Sequence, residues 1–318
     1  MPRVPRIQSA SVEDLMNDES ISVPDLLIEG LLPKTGLVLV AGRPKDGKSW
    51  MACQVGLSVV TGDALGGWLK VKQPGRVQLW ALEDGFGLTK DKISKLLGGS
   101  RPDGLADLRV YPELPAPILH GGDDAIRAEL DKHPADVVIF DSLFKLAGAA
   151  QPRYDICQAD YSIIDRIRKV ALERNCVAVV IMHTKKGARG GNPIENATGT
   201  SGTTAAADSV AELKRTSATE GKLTVVGRLV PQEEFAMEWN GGPQQWGWTI
   251  TGDGQDSSMG ETSQEILAYL EAQGAAKPSS IAAGIHKSFS SVWNALLRLQ
   301  DRGKAVRTRD KRWELSSR

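Results

Sequence analysis

From Leu26 onward, short apolar runs alternate with stretches of helical periodicity, the trace that a parallel sheet with crossover helices leaves in a sequence. Residues 37–40, 77–82, 136–140 and 177–182 are apolar almost without a break. Strands buried on both faces have this look, whereas half-exposed strands alternate. Residues 210–213, 222–226 and 235–239 alternate better and predict an antiparallel edge added to the sheet. The expected fold class is therefore α/β, with a mostly parallel sheet.

Two other regions break this rhythm. Residues 1–24 carry polar and proline signals with little periodicity and read as an N-terminal arm. Residues 249–263 are rich in glycine and small polar side chains, as flexible linkers are. This gives an expected core domain at 25–250, a linker at 251–261 and a second domain at 262–318. In the second domain, residues 262–273 predict an amphipathic helix with Ile266, Leu267 and Leu270 on one face. A short helix at 279–284 follows, then a third at 290–301 expected to bury Val292, Leu296, Leu297 and Leu299. Two strands, 304–308 and 312–315, flank a turn.

Composition changes the picture little. A chain of 318 residues exceeds the usual single-domain size, so one large core with an appendage is natural. Basic and acidic residues balance at 39 each, so no global field draws the molecule to nucleic acid and any DNA affinity must be local. Cys53, Cys157 and Cys176 are odd in number and irregularly spaced, which predicts free thiols in a reducing cytoplasm. The N-terminus lacks the apolar stretch of a signal peptide. The longest apolar runs fall short of the roughly 20 residues of a membrane helix, so a soluble protein with no membrane partner is expected.

The candidate chemistry begins where the first strand ends. Gly42-Arg43-Pro44-Lys45-Asp46-Gly47-Lys48-Ser49 fits G-x-x-x-x-G-K-[ST] between a predicted strand and an apolar helix that starts at Trp50. Glycines let backbone N–H groups curl around phosphate oxygens, and the helix N-terminus adds a favourable dipole. Residues 42–50 are thus the candidate ATP-binding stretch. Lys48 is expected to reach the β and γ phosphates, and Ser49 to offer its hydroxyl to Mg²⁺. Asp141 closes another apolar strand, and beside a P-loop it reads as a second holder of the Mg²⁺ shell, although alone it could equally cap a helix. Glu83 and Asp84 follow residues 77–82 at the sheet's C-terminal edge, where ligands of open α/β folds bind. They read either as a solvated loop pair or as an acid that orients the attacking water.

Residues 38–49, 74–84, 138–142, 181–186 and 199–208 together resemble the RecA-like P-loop ATPase family, closest to plasmid-encoded hexameric replicative helicases of the RepA type and more distantly to DnaB-type helicases. The resemblance covers about two thirds of the chain, from Leu31 to Trp239. It implies that Glu83 is the catalytic base and His183 the γ-phosphate sensor; the family often has a second histidine where Thr184 stands. It also implies that the glycine-rich, basic segment 185–202 is a channel loop whose Lys185, Lys186 and Arg189 touch single-stranded DNA. Arg228 matches the arginine finger that related hexamers present to a neighbour's ATP, with Arg215 as the fallback.

The order of three helices and a hairpin after residue 262 resembles a winged helix-turn-helix domain. From Lys277 on the chain is clearly basic. In this reading Arg298 and Arg302 lie near the end of the recognition helix, with Arg307, Arg309, Lys311 and Arg312 on the wing, and the partner is DNA or another protein. The implied function is an ATP- and Mg²⁺-dependent motor, a ring-forming DNA helicase of a plasmid, phage or integrated element. Its partners would be further copies in a hexameric ring, single-stranded DNA in the channel, duplex DNA at the winged helix, and a primase or polymerase of the same element. An ATP-switched DNA-binding regulator or loader without unwinding activity is the alternative, and a filament-forming recombination mediator shares the fold.

Overall fold

A computed structural model describes residues 9–19, 23–148, 156–184, 201–230, 232–242, 245–253, 261–301, 304–308 and 310–316. The chain divides into two compact units, Met1–Gly252 and Asp253–Arg318.

In the first unit β1 (Leu26–Ile28) and β2 (Leu32–Pro33) pair antiparallel, and β3 (Gly36–Gly42) follows at once. The helix Lys48–Thr61 leads to β4 (Val77–Ala81), and the helix Gly85–Leu97 to β5 (Leu108–Tyr111). The helix Gly122–Lys132 precedes β6 (Val137–Asp141), and the helices Leu143–Ala147 and Ile156–Glu173 precede β7 (Val177–His183). After the helix Ser201–Ala206 come β8 (Ser209–Arg215), β9 (Glu220–Gly227), β10 (Glu233–Gly242) and β11 (Gln245–Asp253). Among the described residues nine of these strands form one sheet, in the order β11-β10-β9-β8-β3-β7-β6-β4-β5.

The pairings of β3 with β7 and β8, of β4 with β5 and β6, and of β6 with β7 are all parallel. The C-terminal ends of β3, β4, β6, β7 and β8 therefore share one edge. The period of two along each strand fills two separate cores. Val38 and Val40 face Met51, Val55 and Val59 of the helix after β3. Leu37, Leu39 and Ala41 face the other side, with Ile163, Ile164 and Ile167. Helices on both faces explain why these strands read as unbroken apolar runs.

The expected antiparallel edge is present, with β8 antiparallel to β9 and β9 to β10. It joins the rest of the sheet through β8, which runs parallel to β3 because a crossover through the helix Ser201–Ala206 returns it to the same direction. The expected linker begins too early, since β11 runs to Asp253 with Trp248 and Ile250 buried. Within the arm, residues Val12–Asn17 form a helix whose N-cap Ser11 hydroxyl accepts from Asp14 N–H at 3.0 Å. No helix among the described residues is long and apolar enough to cross a membrane.

The second unit packs the helices Glu261–Gln273, Pro278–Gly284 and Phe289–Asp301 against β12 (Ala305–Arg307) and its antiparallel partner β13 (Trp313–Leu315). Its core includes Ile266, Leu270, Ile281, Val292, Ala295, Leu296, Leu299 and Trp313. Leu297, expected inside, is 40% exposed, because the inward stripe at 292, 295, 296 and 299 leaves position 297 about 100° round the helix from 296. Leu296→Ala should accordingly cost about 2–5 kcal/mol and Leu297→Ala within about 0.5 kcal/mol, read as denaturant midpoints of the full chain. Equal losses would contradict this packing.

Candidate functional site

The P-loop leaves β3 and turns back on itself through Lys45 and Gly47, at φ of 72° and 92°. Gly47 has to be glycine twice over: its backbone is left-handed, and a Cβ would stand 2.7 Å from Trp248 Nε1. At Gly42 a Cβ would collide with the Leu213 carbonyl oxygen. Asp46 braces the loop by accepting from Arg43 N–H at 2.9 Å.

Lys48 is 4% exposed and donates to the carbonyls of Gly42 at 2.9 Å and Arg43 at 2.8 Å. Burial lowers its pKa, with Asp46, Asp141 and Glu83 acting the other way. Its third partner is His183 Nδ1 at 3.2 Å. An ammonium can only donate, so Nδ1 accepts and the imidazole proton belongs on Nε2. Nε2 lies 4.0 Å from Glu83 Oε1. Burial and the Lys48 charge lower the His183 pKa, which favours a neutral ring at pH 7.

Sheet register sets the acids beside this pair. Gly42 is level with His183, Ala81 with Asp141, and Asp141 with Ile181. Asp141 is 4% exposed and accepts from the Ser49 hydroxyl. Burial, reinforced by Glu83 and Asp84, pushes its pKa up to about 6. Glu83 donates its backbone N–H to the Asp141 carbonyl at 3.2 Å and accepts from the Ser142 hydroxyl through its side chain. Asp84 is committed to an ion pair with Lys92, so of the two acids Glu83 faces the lysine and histidine.

Lys48, Ser49, Glu83, Asp141 and His183 line a cavity of about 470 Å³ together with Trp50 and Trp239, within the size range of small-molecule sites. The donor set fits a magnesium nucleotide: a buried lysine and glycine turns for phosphates, and a hydroxyl paired with a carboxylate for a hard cation. Ser49 and Asp141 would hold Mg²⁺, residues 42–50 the phosphates, and Glu83 a water.

A tryptophan cluster behind the cavity was not expected from the sequence. Trp50 stacks on Trp246 with centroids 5.2 Å apart and meets Trp239 edge-on at 5.4 Å. Trp239 in turn meets Trp248 edge-on at 5.2 Å. Gln54, one turn beyond Trp50, bonds both the N–H and the carbonyl of Trp248 at 2.8 Å, which fastens the P-loop helix to β11.

The two candidate finger arginines lie at opposite edges of the sheet. Arg215 ends β8 and lines the cavity, its guanidinium 5.2 Å from the Trp239 ring and bonded to the carbonyls of Ser217 and Ala218. Arg228 follows the end of β9, where Gly227 pairs with Ser209 at the start of β8, about 20 Å of strand from the P-loop edge. It is 66% exposed, 3.7 Å from Asp208, whose carboxylate Arg168 already holds through two bonds of 2.8 Å.

Lys185, Lys186, Arg189, Arg302 and Arg309 lie outside the described residues, as does the side chain of Arg298. Arg307, Lys311 and Arg312 are on the second unit's hairpin, and Arg312 pairs with Asp310 at 3.2 Å. Cys53 and Cys176 are buried free thiols whose pKa burial raises to about 12, which leaves them inert.

Residues 2–189, more than half of the chain, match the family described as AAA domain. The chain belongs to this family. A search of curated proteins finds no match. Among solved structures, the AAA domain chain is similar to one described as an ATPase domain, at 14% identity over 74% of this chain and 94% of that one, with a TM-score of 0.54. It is also similar to a DnaB-like replicative helicase solved with its interactions with primase, at 14% identity over 75% of this chain and 67% of that one, with a TM-score of 0.55. At such identity the likeness is one of fold. The chain is a P-loop ATPase with a RecA-like core.

Proposed function

We propose that this ATPase is a motor that couples hydrolysis to movement on single-stranded DNA, working as a ring-forming helicase in the replication of a plasmid, phage or integrated element. One observation carries the reading: β7 ends at His183 against Lys48, and the basic segment with Lys185, Lys186 and Arg189 starts two residues later. A change at the γ-phosphate would be felt by Lys48 and His183 first, and β7 passes it directly into that segment. Thr184 N–H, bonded to the Gly42 carbonyl at 3.0 Å, ties the start of the segment to the P-loop itself. In this reading Glu83 orients the water, Asp141 and Ser49 hold Mg²⁺, and His183 senses the terminal phosphate.

Assembly with further copies is supported by Phe86, Leu88 and Phe144, which are 63%, 58% and 73% exposed on the elements that follow Glu83 and Asp141. Large apolar side chains left open beside a charged site are what a subunit face covers. Arg228 suits the trans finger better than Arg215, whose guanidinium is already taken up by its own tryptophans and carbonyls. The second unit, with its three helices and hairpin, reads as a winged helix carrying DNA contacts, and a primase or polymerase of the same element is the protein partner proposed.

Strand release from a forked duplex tests the motor reading. The wild-type chain is expected to displace the strand with ATP, and Glu83→Gln to bind the fork without displacing it. Vigorous hydrolysis with no displacement would favour the regulator or loader. Mixing Arg228→Ala subunits with Glu83→Ala subunits should restore part of the lost turnover, because some interfaces then carry both intact groups. A mixture as inactive as its components would remove Arg228 from the finger role.

A further inference from the structure

The helix Phe289–Asp301 buries one stripe and leaves a second, aromatic flank open. Val292, Ala295, Leu296 and Leu299 fill the core of their unit. Phe289, Trp293 and Leu297 are spaced four apart and so line up along one side of the helix. Phe289 is 54% exposed although it is the largest side chain at that end. Its ring lies 6.1 Å from that of Trp293 and within 15° of parallel. Trp293 is set edge-on against the fully buried Trp313 at 6.4 Å, and the Arg307 guanidinium lies 5.5 Å from the Trp293 ring.

Core packing accounts for Trp313 and for the edge of Trp293, but it gives no reason for an open phenyl ring stacked on Trp293. The flank has the parts of a stacking surface: a flat exposed ring, a rigid backing that keeps it in place at little entropic cost, and an arginine in the same stack. Its setting is cationic, with ten basic residues against three acidic ones from Lys277 to Arg318. That charge complements a polyanion, and the flat ring complements a base whose face is free. Duplex DNA shows a helix its base edges and phosphates and hides the faces, so the partner indicated is an unpaired strand.

We propose that this flank is a binding site for single-stranded DNA, in which an unpaired base stacks on Phe289, Trp293 backs the platform, and Arg307 adds cation–π and phosphate contacts. The proposal rests on the DNA-motor reading and gives the second unit a different ligand from the duplex expected of a recognition helix.

The test uses the full chain with Lys185, Lys186 and Arg189 all changed to alanine, so that the basic segment of the first unit does not mask the second. Anisotropy titrations without nucleotide compare a labelled oligothymidylate, an abasic strand of equal length and charge, and a duplex. The oligothymidylate is expected to bind roughly tenfold more tightly than the abasic strand. Phe289→Ala should erase that difference and Phe289→Tyr should keep it, with circular dichroism confirming that both variants fold. Equal affinity for the two strands, or a difference untouched by Phe289→Ala, would overturn the stacking site, and a preference for duplex would replace it with groove binding. Retention by an unrelated apolar peptide with no binding to any DNA would make the flank a protein-docking surface. Hydrolysis by the wild-type chain separates the two levels: stimulation by DNA leaves the motor reading standing when the stacking site fails, whereas indifference to DNA takes both down.

Discussion

Lys48→Ala is expected to lower ATP turnover by about a hundredfold or more, the scale of losing a fixed cationic donor at a site of developing charge. The geometry around the lysine explains why no neighbour substitutes. Lys48 is held by the Gly42 and Arg43 carbonyls and by His183, so its charge already points into the loop that would enclose the phosphates. Of the two other lysines at the cavity, Lys45 is exposed on the loop and Lys92 is committed to Asp84. Arg215 is taken up by its tryptophans. The substitution also removes the donor that fixes the His183 tautomer, which adds to the loss. Steady-state phosphate release checks this, and turnover within about threefold of wild type would remove the P-loop from the catalytic account.

Asp141→Asn should do two opposite things: abolish Mg²⁺-dependent turnover, and make the protein without nucleotide more resistant to heat near pH 8. The Asp141 pKa rises from an ordinary 3.8 to about 6, chiefly through burial and then through Glu83 and Asp84. Between those two values the folded chain holds more protons than the unfolded one, so this group's contribution to stability falls as pH rises, and the penalty is complete above about pH 6. A shift of this size corresponds to about 2–3 kcal/mol. Asparagine carries no charge and escapes the penalty, so its advantage in melting temperature should be a few degrees at pH 8 and shrink towards pH 5. In the wild type the same titration makes protons compete with Mg²⁺, so magnesium-nucleotide affinity should weaken as pH falls through about 6. Calorimetric melting at both pH values checks the first effect, and a variant less stable than wild type at pH 8 would show that the carboxylate is not strained by burial.

The parallel core was legible because each central strand is buried on both faces and so appears as an unbroken apolar run. β11 was not, because Trp246, Trp248 and Ile250 alternate with Gly247, Thr249 and Thr251, and glycine with threonine next to a polar segment reads as linker. Yet that alternation is the period-two signal of a strand with one buried face. The P-loop and Asp141 were visible because strand, loop and helix fix their chemistry locally. The choice of Glu83 over Asp84 came only through the family resemblance, since its physical ground is the pairing of Asp84 with Lys92, two turns into the helix that Asp84 caps. The tryptophan cluster was hidden for a related reason: Trp50 and Trp239 meet only because the strand order β11-β10-β9-β8-β3 folds the end of the sheet back beside the P-loop helix. Leu297 was misplaced by reading apolarity where helical phase decides.

The most direct test of the central claim is steady-state ATP hydrolysis with and without circular single-stranded DNA, with Lys48→Ala as the blank. A motor of the kind proposed should hydrolyse ATP several-fold faster on the strand, and should lose that stimulation, while keeping its basal rate, when Lys185, Lys186 and Arg189 are changed to alanine. A basal rate that single-stranded DNA leaves unchanged in the wild-type chain would contradict the coupling of His183 and β7 to that segment, and with it the reading of this ATPase as a DNA motor.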